Sequence, residues 1–396
     1  MVVAMGNGLG GRIAARARRF GPLRWSEFME AALYDPEDGF YQSGGRAGRT
    51  GDFVTSPELG PLFAAVVARA LDRTWQELGR PDPFVVIEAA AGVGTLARDV
   101  LAAAPACAPA LRYVLVERSA PLRVAQAARL PLEQPELVLG PVDPARDPDE
   151  DDGQPIAGCG PLVTALGELP ASPVSGVVIA NELLDNLAVD LLEWRQGRWH
   201  EVRVAAADAT TDELVELVVP ALPDVAAEAT RLVPRPDDRA EGARIPLERA
   251  AGAWVRQALA LVQEGRLIVV DYADTTAALA QAPPAQWLRT FRQHQVALFP
   301  LQAPGTQDIT CVVAWDQLRT PDANQSQAGW LVEHGLDQLV DAARATWEQR
   351  APLGDLTALA ARSRVHEAEA LTDPRGLGGH RVLQWTIGRT GVALMS

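Results

Sequence analysis

The sequence predicts an α/β fold with a doubly wound, mostly parallel sheet. The first observation is a series of short runs, apolar on both faces, that alternate with helical patterns. These runs are FVVIEA (84–89), RYVLVER (112–118), ELVLG (136–140), VSGVVIANE (174–182) and RLIVVDY (266–272). Strands covered by helices on both sides of a sheet have such continuous apolar runs. The second observation is the loop after the first run, which contains Gly92 and Gly94 and opens a helical pattern. A strand, a glycine turn and a helix in this order typically hold a nucleotide-like cofactor.

Two regions depart from this alternation and define the predicted domains. Residues 1–80 indicate helices at about 25–33 and 59–78 around the glycine-rich stretch YQSGGRAGRTGDFVTSPE. Residues 191–245 contain alternating patterns with Gln196-Gly197 as a turn, which predict a small antiparallel insertion. We therefore expect a helical N-terminal region (1–80) that covers the cofactor, and a sheet domain (81–396) that carries the insertion.

Composition excludes several classes of function. Of the 396 residues, 51 are acidic and 36 basic, and a net charge of -15 argues against nucleic-acid binding. The chain contains no lysine, which excludes a Schiff-base enzyme and a P-loop nucleotide site. Its three cysteines are widely spaced, which suits neither a zinc site nor a disulfide framework and is typical of a reducing cytoplasm. With no apolar run long enough for a membrane span, we expect a cytoplasmic protein without a metal.

The glycine loop leaves two cofactors to consider. The stretch GVGTLA fits the G-x-G-x-x-G/A pattern, and Glu117 at the tip of the second strand lies where a ribose-binding acid is expected. These features alone would fit a nicotinamide-dependent enzyme. Glu88, four positions before Gly92, favours S-adenosyl-L-methionine instead. That cofactor carries an ammonium and a sulfonium group, whereas a dinucleotide brings a pyrophosphate that a carboxylate repels.

Motifs along most of the chain resemble those of the MidA-like methyltransferases, a bacterial family related to a mitochondrial complex I assembly factor that methylates an arginine of a core subunit. The resembling segments are FMEAALYDPEDGFY (28–41), GDFVTSPELGPLF (51–63), LVERSAPLRVAQ (115–126), IANELLDNLAV (179–189), VVDYA (269–273), PGTQDIT (304–310) and LTDPRGLG (371–378). The resemblance covers about residues 21–388. It implies a class I methyltransferase fold, which is Rossmann-like, with S-adenosyl-L-methionine as cofactor.

This sequence departs from the family pattern at four positions. The cofactor loop reads EAAAGVG, with Ala90 where the family usually has glycine, and such a substitution costs on the order of 1 kcal/mol if the position needs a positive φ. Val312 and Ala314 replace a histidine and an aspartate, and Ala188 replaces a proline.

The candidate site residues fall into two groups. We expect Glu117 to accept hydrogen bonds from the ribose, Glu88 to orient the methionine end, and the glycines to let the backbone approach it. The full set of predicted cofactor-binding residues is Asp52, Thr55, Ser56, Glu58, Glu88, Ala90, Gly92, Gly94, Glu117 and Ser119; the predicted catalytic residues are Asn181, Glu182 and Asp185.

Each group has a structural alternative. Carboxylates can grip a guanidinium in a fork, so Glu182 and Asp185 suit an arginine substrate, but Asn181 could simply cap a helix with acids in its first turn. Residues 52–58 could likewise be an N-cap before a helix that begins near Pro57, whereas the resemblance implies a loop that folds over the cofactor.

The favoured hypothesis is an S-adenosyl-L-methionine-dependent methyltransferase that acts on a protein, at arginine. By family analogy the protein substrate could be a respiratory complex I subunit, and a homodimer is one option for the assembly. The departures at Ala90, Val312 and Ala314 allow an alternative, a non-catalytic binding or assembly module with a methyltransferase fold. A nicotinamide-dependent oxidoreductase is the third hypothesis.

Overall fold

The structure is a computed structural model that describes residues 8–42, 55–140, 158–292, 295–296 and 299–388. The chain forms two compact units. Unit 1 comprises Met1–Phe53, Leu183–Arg256 and Asp271–Thr320, and unit 2 comprises Val54–Glu182, Gln257–Val270 and Pro321–Ser396. This division differs from the predicted domains, which placed a boundary at residue 80. Residues 55–80 belong to the unit that contains the large sheet, and the predicted insertion shares a unit with the N-terminal residues.

Unit 2 alternates strands and helices, as predicted. Its elements are α3 (Ser56–Leu59), α4 (Pro61–Glu77), β2 (Phe84–Ala89), α5 (Thr95–Ala102), β3 (Leu111–Val116), α6 (Ala120–Ala127), α7 (Pro135–Leu139), β4 (Leu162–Leu166), β5 (Val174–Asn181), β10 (Val262–Asp271, with its last residue in unit 1), β16 (Ala323–Ser326), α12 (Gln327–Glu333), α13 (Leu336–Arg350), α14 (Leu356–Thr372) and β17 (Arg381–Ile387).

The seven strands of unit 2 form one sheet in the order β16-β17-β10-β5-β2-β3-β4. Parallel pairing joins β4, β3, β2, β5 and β10, and β16 pairs antiparallel with β17. All six residues of β2 and of β3 are buried, which explains their continuous apolar sequences. Fully buried Phe63, Tyr113, Val177 and Trp330 bring α4, β3, β5 and α12 into one core. The prediction of a doubly wound sheet is confirmed.

One predicted strand is wrong. Residues 136–140 were expected to form the third strand, but Pro135–Leu139 is the helix α7, and β4 at Leu162–Leu166 occupies that place in the sheet. Proline has no backbone N–H to donate and its φ suits the first position of a helix, so Pro135 starts α7. Glu136 in the first turn adds a favourable charge at the helix N-terminus.

Unit 1 contains a second, smaller sheet. Its elements are α1 (Leu9–Phe20), β1 (Leu23–Arg24), α2 (Trp25–Tyr34), β6 (Asp190–Arg195), β7 (Arg198–Ala206), β8 (Leu214–Pro220), α8 (Pro223–Leu232), β9 (Arg244–Leu247), α9 (Arg249–Leu261, divided between the units), β11 (Ala273–Asp274), α10 (Thr276–Gln281), α11 (Pro284–Trp287), β12 (Leu288–Arg292), β13 (Gln295–Val296), β14 (Asp308–Cys311) and β15 (Val313–Ala314).

The antiparallel insertion is confirmed and extends over the predicted range. Strands β1, β7, β6 and β9 lie in this order with β8 paired to β7, and β6 turns into β7 at Gln196-Gly197, where both residues have positive φ. Buried Trp25 and Phe28 of α2 share a core with Val204 of β7 and Ile309 of β14. Among the helices that the structure describes, none is long and apolar enough to cross a membrane.

Candidate functional site

The sheet of unit 2 reverses its strand order between two neighbours, β2 and β5. From β2 the chain continues to β3 and β4 on one side, and from β5 it continues to β10 on the other. In sheets of this kind, ligands bind outside the carboxyl ends of the strands at the reversal. The loop after β2 and residues Asn181 and Glu182 at the end of β5 both lie at that point, since Ala89 pairs with Ala180.

The loop after β2 has a left-handed backbone at three positions. Ala90, Gly92 and Gly94 have φ values of 55°, 52° and 81°. Glycine adopts such angles without strain, whereas alanine is penalised by its Cβ. A side-chain carbon at Gly92 would meet no atom within 4 Å, so a ligand can approach the backbone here. Ala90 therefore occupies a position that favours glycine, as the sequence comparison with the family suggested.

The side-chain carboxylate of Glu117 binds the backbone of the loop after β2. Its Oε2 accepts a hydrogen bond from Gly92 N (2.9 Å), and its Oε1 accepts one from Ser119 N (2.8 Å). Burial raises the pKa of Glu117, and the backbone N–H groups of Ser119, Gly92 and Arg118 oppose the rise. An ionised carboxylate has about four acceptor positions, and three backbone N–H groups bind this one, so about one remains for a ribose hydroxyl. The predicted ribose contact thus fits the residues present.

Gln126 is a loop-holding residue that the predicted site omitted. It is fully buried in α6, and its Nε2 donates a hydrogen bond of 2.7 Å to Gly92 O. The N–H of Gly92 binds Glu117 and its carbonyl binds Gln126, so both neighbouring peptide planes are fixed. The signal in the sequence was the motif LVERSAPLRVAQ, in which Gln126 is the last residue.

Glu88 lies deeper than expected. Only 5% of the residue is exposed, and its Oε2 accepts a 2.7 Å hydrogen bond from the hydroxyl of Tyr113 on β3. Burial raises the pKa of Glu88 to about 8, against the opposing hydrogen bonds of Tyr113 and Ala97 N. The protonated form of Glu88 is therefore favoured at neutral pH. The negative charge of Glu88, on which the sequence-based preference for S-adenosyl-L-methionine rested, is weaker than the sequence implied. Its role at the methionine end stays a prediction.

Among the polar residues predicted at 52–58, Glu58 contacts the end of the glycine loop. Glu58 accepts a 2.7 Å hydrogen bond through Oε1 from Thr95 Oγ1, and Thr95 is the first residue of α5, directly after Gly94. Ser56 is fully buried, and its hydroxyl donates to Gln327 Oε1 (2.9 Å) in α12. Thr55 occupies the N-cap of α3, but its side chain does not cap the helix. Asp52 lies outside the described residues.

Asn181 ends β5, and Glu182 follows it with an unusual backbone. Glu182 has a φ of 51°, and its N–H still donates to Val270 O (2.8 Å) of β10. Asn181 Nδ2 lies 3.3 Å from Glu182 Oε1. A left-handed conformation in a non-glycine residue costs about 1–3 kcal/mol and clusters at functional sites, where the surrounding structure imposes it.

Asp185 lies in unit 1, in a single 3₁₀ turn formed by Leu184–Asn186. Leu183, not Asn181, holds the N-cap position of this turn. The alternative that Asn181 caps a helix is therefore wrong. Only 3% of Asp185 is exposed, and burial together with the charges of Asp271 and Asp308 raises the pKa of Asp185 well above its usual range.

Three of the four departures from the family pattern, Ala188, Val312 and Ala314, lie in unit 1. Ala314 is fully buried, and its N–H donates a 2.9 Å hydrogen bond to Glu248 Oε1. Val312 and Ala188 are partly buried and pack against the core of the unit. Within the described ranges, no group of three or more histidine, cysteine, aspartate or glutamate side chains is arranged to hold a metal ion.

Comparison with known families matches most of the chain. Residues 66–332 match the family described as "Putative S-adenosyl-L-methionine-dependent methyltransferase". This span contains the glycine loop, Glu117 and the segment from Asn181 to Asp185.

Individual relatives agree with that match. A Drosophila melanogaster protein named protein arginine methyltransferase NDUFAF7 homolog, mitochondrial, is 28% identical over 314 residues, which is 78% of this chain and 68% of the relative. The Danio rerio protein arginine methyltransferase NDUFAF7, mitochondrial, is 24% identical over 339 residues, or 82% of this chain and 76% of the relative. A crystal structure from Burkholderia thailandensis, bound to S-adenosyl-homocysteine, superposes with a TM-score of 0.75 at 27% identity and covers 97% of this chain and 93% of its own.

Proposed function

This chain belongs to the family of S-adenosyl-L-methionine-dependent methyltransferases, and from that premise we propose that it methylates an arginine side chain of a protein. The methyltransferase class and its cofactor follow from the family and leave no role for a nicotinamide cofactor. Arginine as the acceptor is the proposed step. The Drosophila and Danio relatives, which are named protein arginine methyltransferases, support it.

The observation that carries the proposal is the backbone of Glu182. A glutamate in a left-handed conformation at the carboxyl end of β5 lies beside the strand that ends in the glycine loop. The fold bears that strain at the point where sheets of this kind bind ligands. A carboxylate there suits an acceptor that is a cation before it reacts, as a guanidinium is.

The residues of this chain would divide the work as follows. S-adenosyl-L-methionine supplies the methyl group on a sulfonium. Glu117, Gly92 and Gly94 would hold the cofactor, with Glu58 and Ser119 next to the loop. Glu182 would bind the guanidinium by its N–H groups and stabilise its charge, and Asn181 would fix the carboxylate of Glu182. Asp185 is the third predicted catalytic residue. Alignment of donor and acceptor can account for several kcal/mol of the barrier.

The test uses tritium transfer from labelled cofactor into extract of a strain that lacks the gene. Glu182→Gln and Asp185→Asn keep the shape of the side chain and remove its charge. We expect each to lower the rate by a factor on the order of a hundred, as when an aimed electrostatic group is lost. Affinity for S-adenosyl-homocysteine should change little in both. Amino-acid analysis of the labelled protein should recover methylarginine.

Glu133→Gln is the control, because it removes an exposed carboxylate of unit 2 outside the proposed site. It should transfer methyl groups at the wild-type rate. Label on another residue type would refute arginine as the acceptor. Wild-type rates in both charge-removing variants would refute their catalytic role. A wild-type protein that binds S-adenosyl-homocysteine and labels nothing would favour the non-catalytic assembly module.

The proposal also covers the substrate protein and the cellular compartment. The complex I assembly factor to which the family is related makes a respiratory complex I subunit the first substrate to try. None of the three cysteines forms a disulfide bond and Cys159 is exposed, which supports a reducing compartment such as the cytoplasm.

A further inference from the structure

Four of the segments that resemble family motifs meet at one buried cluster in unit 1. Asp185 comes from IANELLDNLAV, Asp271 from VVDYA, Asp308 from PGTQDIT and Tyr41 from FMEAALYDPEDGFY. The three aspartates are 3%, 0% and 1% exposed. We call Asp185, Asp271 and Asp308 the aspartate cluster. Only Asp185 has a place in the function proposed so far, so the other segments still need an explanation.

The other two aspartates hold the turn that carries Asp185 from both sides. Asp271 Oδ2 accepts a 2.8 Å hydrogen bond from Leu184 N, on one side of Asp185. Asp308 Oδ1 accepts a 3.1 Å hydrogen bond from Asn186 Nδ2, on the other side. Asp185 thus lies between two residues that are each bound to another aspartate. Its backbone and its electrostatic surroundings are both set by Asp271 and Asp308.

Asp185 lacks a donor for one of its oxygens. Its Oδ1 is buried and has no hydrogen-bond partner among the described residues. A buried acceptor without a partner is destabilising, and two nearby carboxylates make ionisation of Asp185 costlier still. A ligand that brings both a donor and a positive charge would remove both costs.

Tyr41 lies at the partly exposed side of the cluster. Its hydroxyl is 3.0 Å from Asn186 Oδ1 and 3.1 Å from Asp308 Oδ1, and its single proton can serve one of them at a time. Its ring stacks on that of Tyr34, with centroids 5.5 Å apart and planes at 19°. Aromatic rings beside carboxylates form a favourable surface for a delocalised cation.

We propose that the aspartate cluster is the receptor for the substrate guanidinium, in which Asp185 binds the cation and Asp271 and Asp308 are positioning residues. This inference rests on the proposed function, because it takes arginine as the acceptor. Asp271 and Asp308 fix the turn of Asp185 and supply negative charge, while Tyr41 and Asn186 hold Asp308. A guanidinium has five N–H donors in a plane and no acceptor, which matches a cluster of carboxylates.

Two other occupants fit less well. Within the described residues, these side chains have no metal-binding arrangement. A buried water could donate to Asp185 Oδ1, but it would not offset the charge of neighbouring carboxylates. The two occupants can be distinguished by experiment. If the cluster binds a cation, peptide binding should depend on the charge of the peptide side chain; if it holds a water molecule, it should not.

The experiment compares two peptides on the full-length protein saturated with S-adenosyl-homocysteine. Acetyl-Gly-Arg-Gly-amide carries the cation, and acetyl-Gly-citrulline-Gly-amide replaces it by a neutral group of nearly the same shape. By calorimetry or NMR titration, we expect the arginine peptide to bind at least tenfold more tightly. Asp308→Asn should reduce this ratio to about two or less and leave the affinity for S-adenosyl-homocysteine unchanged. Asp308→Glu, which keeps the charge, should restore part of the ratio.

Glu248→Gln is the matched control, because Glu248 is also a buried carboxylate of unit 1 and accepts from a backbone N–H. It should keep the wild-type ratio. Equal binding of the two peptides to the wild type, or no binding of either at millimolar concentration, would overturn the inference. If Asp308→Asn does not fold, Tyr41→Phe takes its place, and an unchanged ratio in that variant would count against the cluster.

The two proposals fail separately. If the wild type labels arginine in extract but does not discriminate between the peptides, only the receptor assignment is wrong. If the label falls on another residue type, the proposed function is wrong, whatever the peptides do.

Discussion

Ala90 shows how one residue can depart from a motif without disturbing the fold. Its φ of 55° requires the left-handed conformation, which costs an L-residue roughly 1–2 kcal/mol. Ala90→Gly removes that cost but adds freedom to the unfolded chain. We therefore expect the free energy of unfolding to rise by up to about 1 kcal/mol, measured by urea denaturation.

Ala345→Gly is the control for Ala90→Gly. Ala345 is exposed in the interior of α13, where glycine should lower the free energy of unfolding by about 1 kcal/mol. Opposite signs for the two substitutions would locate the strain at Ala90. If Ala90→Gly destabilised the protein as much as Ala345→Gly does, the loop would not be strained there. Affinity for S-adenosyl-homocysteine in Ala90→Gly then tells whether the methyl group also hinders the cofactor.

Glu88 gives a prediction about pH. Its pKa of about 8 in the folded protein exceeds the ordinary 4.5, so the folded state holds a proton that the unfolded chain has released between these values. Wild-type stability should therefore fall relative to Glu88→Gln as pH rises from 4.5 to 8. Above pH 8 the difference should stay constant. At pH 7 the wild type should be less stable than Glu88→Gln by on the order of 3 kcal/mol. Any hydrogen bond that the amide of Glu88→Gln cannot accept would make this difference smaller.

Denaturation curves of wild type and Glu88→Gln across pH 4 to 9 would measure this difference. Curves that stay parallel over the whole range would show that Glu88 is ionised in the folded protein. In that case the carboxylate would be available for an ammonium group, as the sequence first suggested.

At the scale of elements, the sequence identified most strands by apolar runs and failed where two signals competed. ELVLG is apolar enough for a strand, yet Pro135 and Glu136 begin a helix there. β4 was missed because only its second and third residues are buried, so its apolar pattern is short. The glycine loop was predicted correctly, since positive φ and close approach restrict the residues that can occupy it.

The hydrogen-bond partners of the site residues could not be predicted from the sequence. Glu117 was expected at the second strand, but its hydrogen bond to Gly92 N depends on how β2 and β3 align in the sheet. The bonds from Tyr113 to Glu88 and from Thr95 to Glu58 likewise join segments 25 and 37 residues apart. Residue types at strand ends can be assigned to a site from sequence. Their burial, and hence their ionisation, requires the packed structure.

At the scale of the molecule, the two compact units do not follow chain order. The N-terminal residues, the predicted insertion and residues 271–320 form unit 1, although long stretches of sequence separate them. Contacts such as the pairing of Leu23 with Val204 in β1 and β7 join them. Patterns of periodicity describe neighbouring residues along the chain, so they do not reveal which distant segments share a core.

The cofactor should stabilise the folded protein as a whole. A ligand that binds only the folded state stabilises it by RT ln(1 + [L]/Kd), or about 2.7 kcal/mol at a hundredfold excess over Kd. S-adenosyl-homocysteine should therefore raise the unfolding temperature, and NAD at the same concentration should not. A shift with NAD but none with S-adenosyl-homocysteine would contradict the assignment of the cofactor site.

Glu117→Ala tests whether that stabilisation arises at the loop described here. The substitution removes the acceptor of Gly92 N and the proposed acceptor of the ribose, so the shift caused by S-adenosyl-homocysteine should largely disappear. Glu133→Gln, at an exposed position of the same unit, should keep the full shift. Because Glu117 also supports the fold, its variant should unfold at a lower temperature even without ligand. The ligand-dependent part alone decides the question, and an undiminished shift in Glu117→Ala would place the cofactor elsewhere.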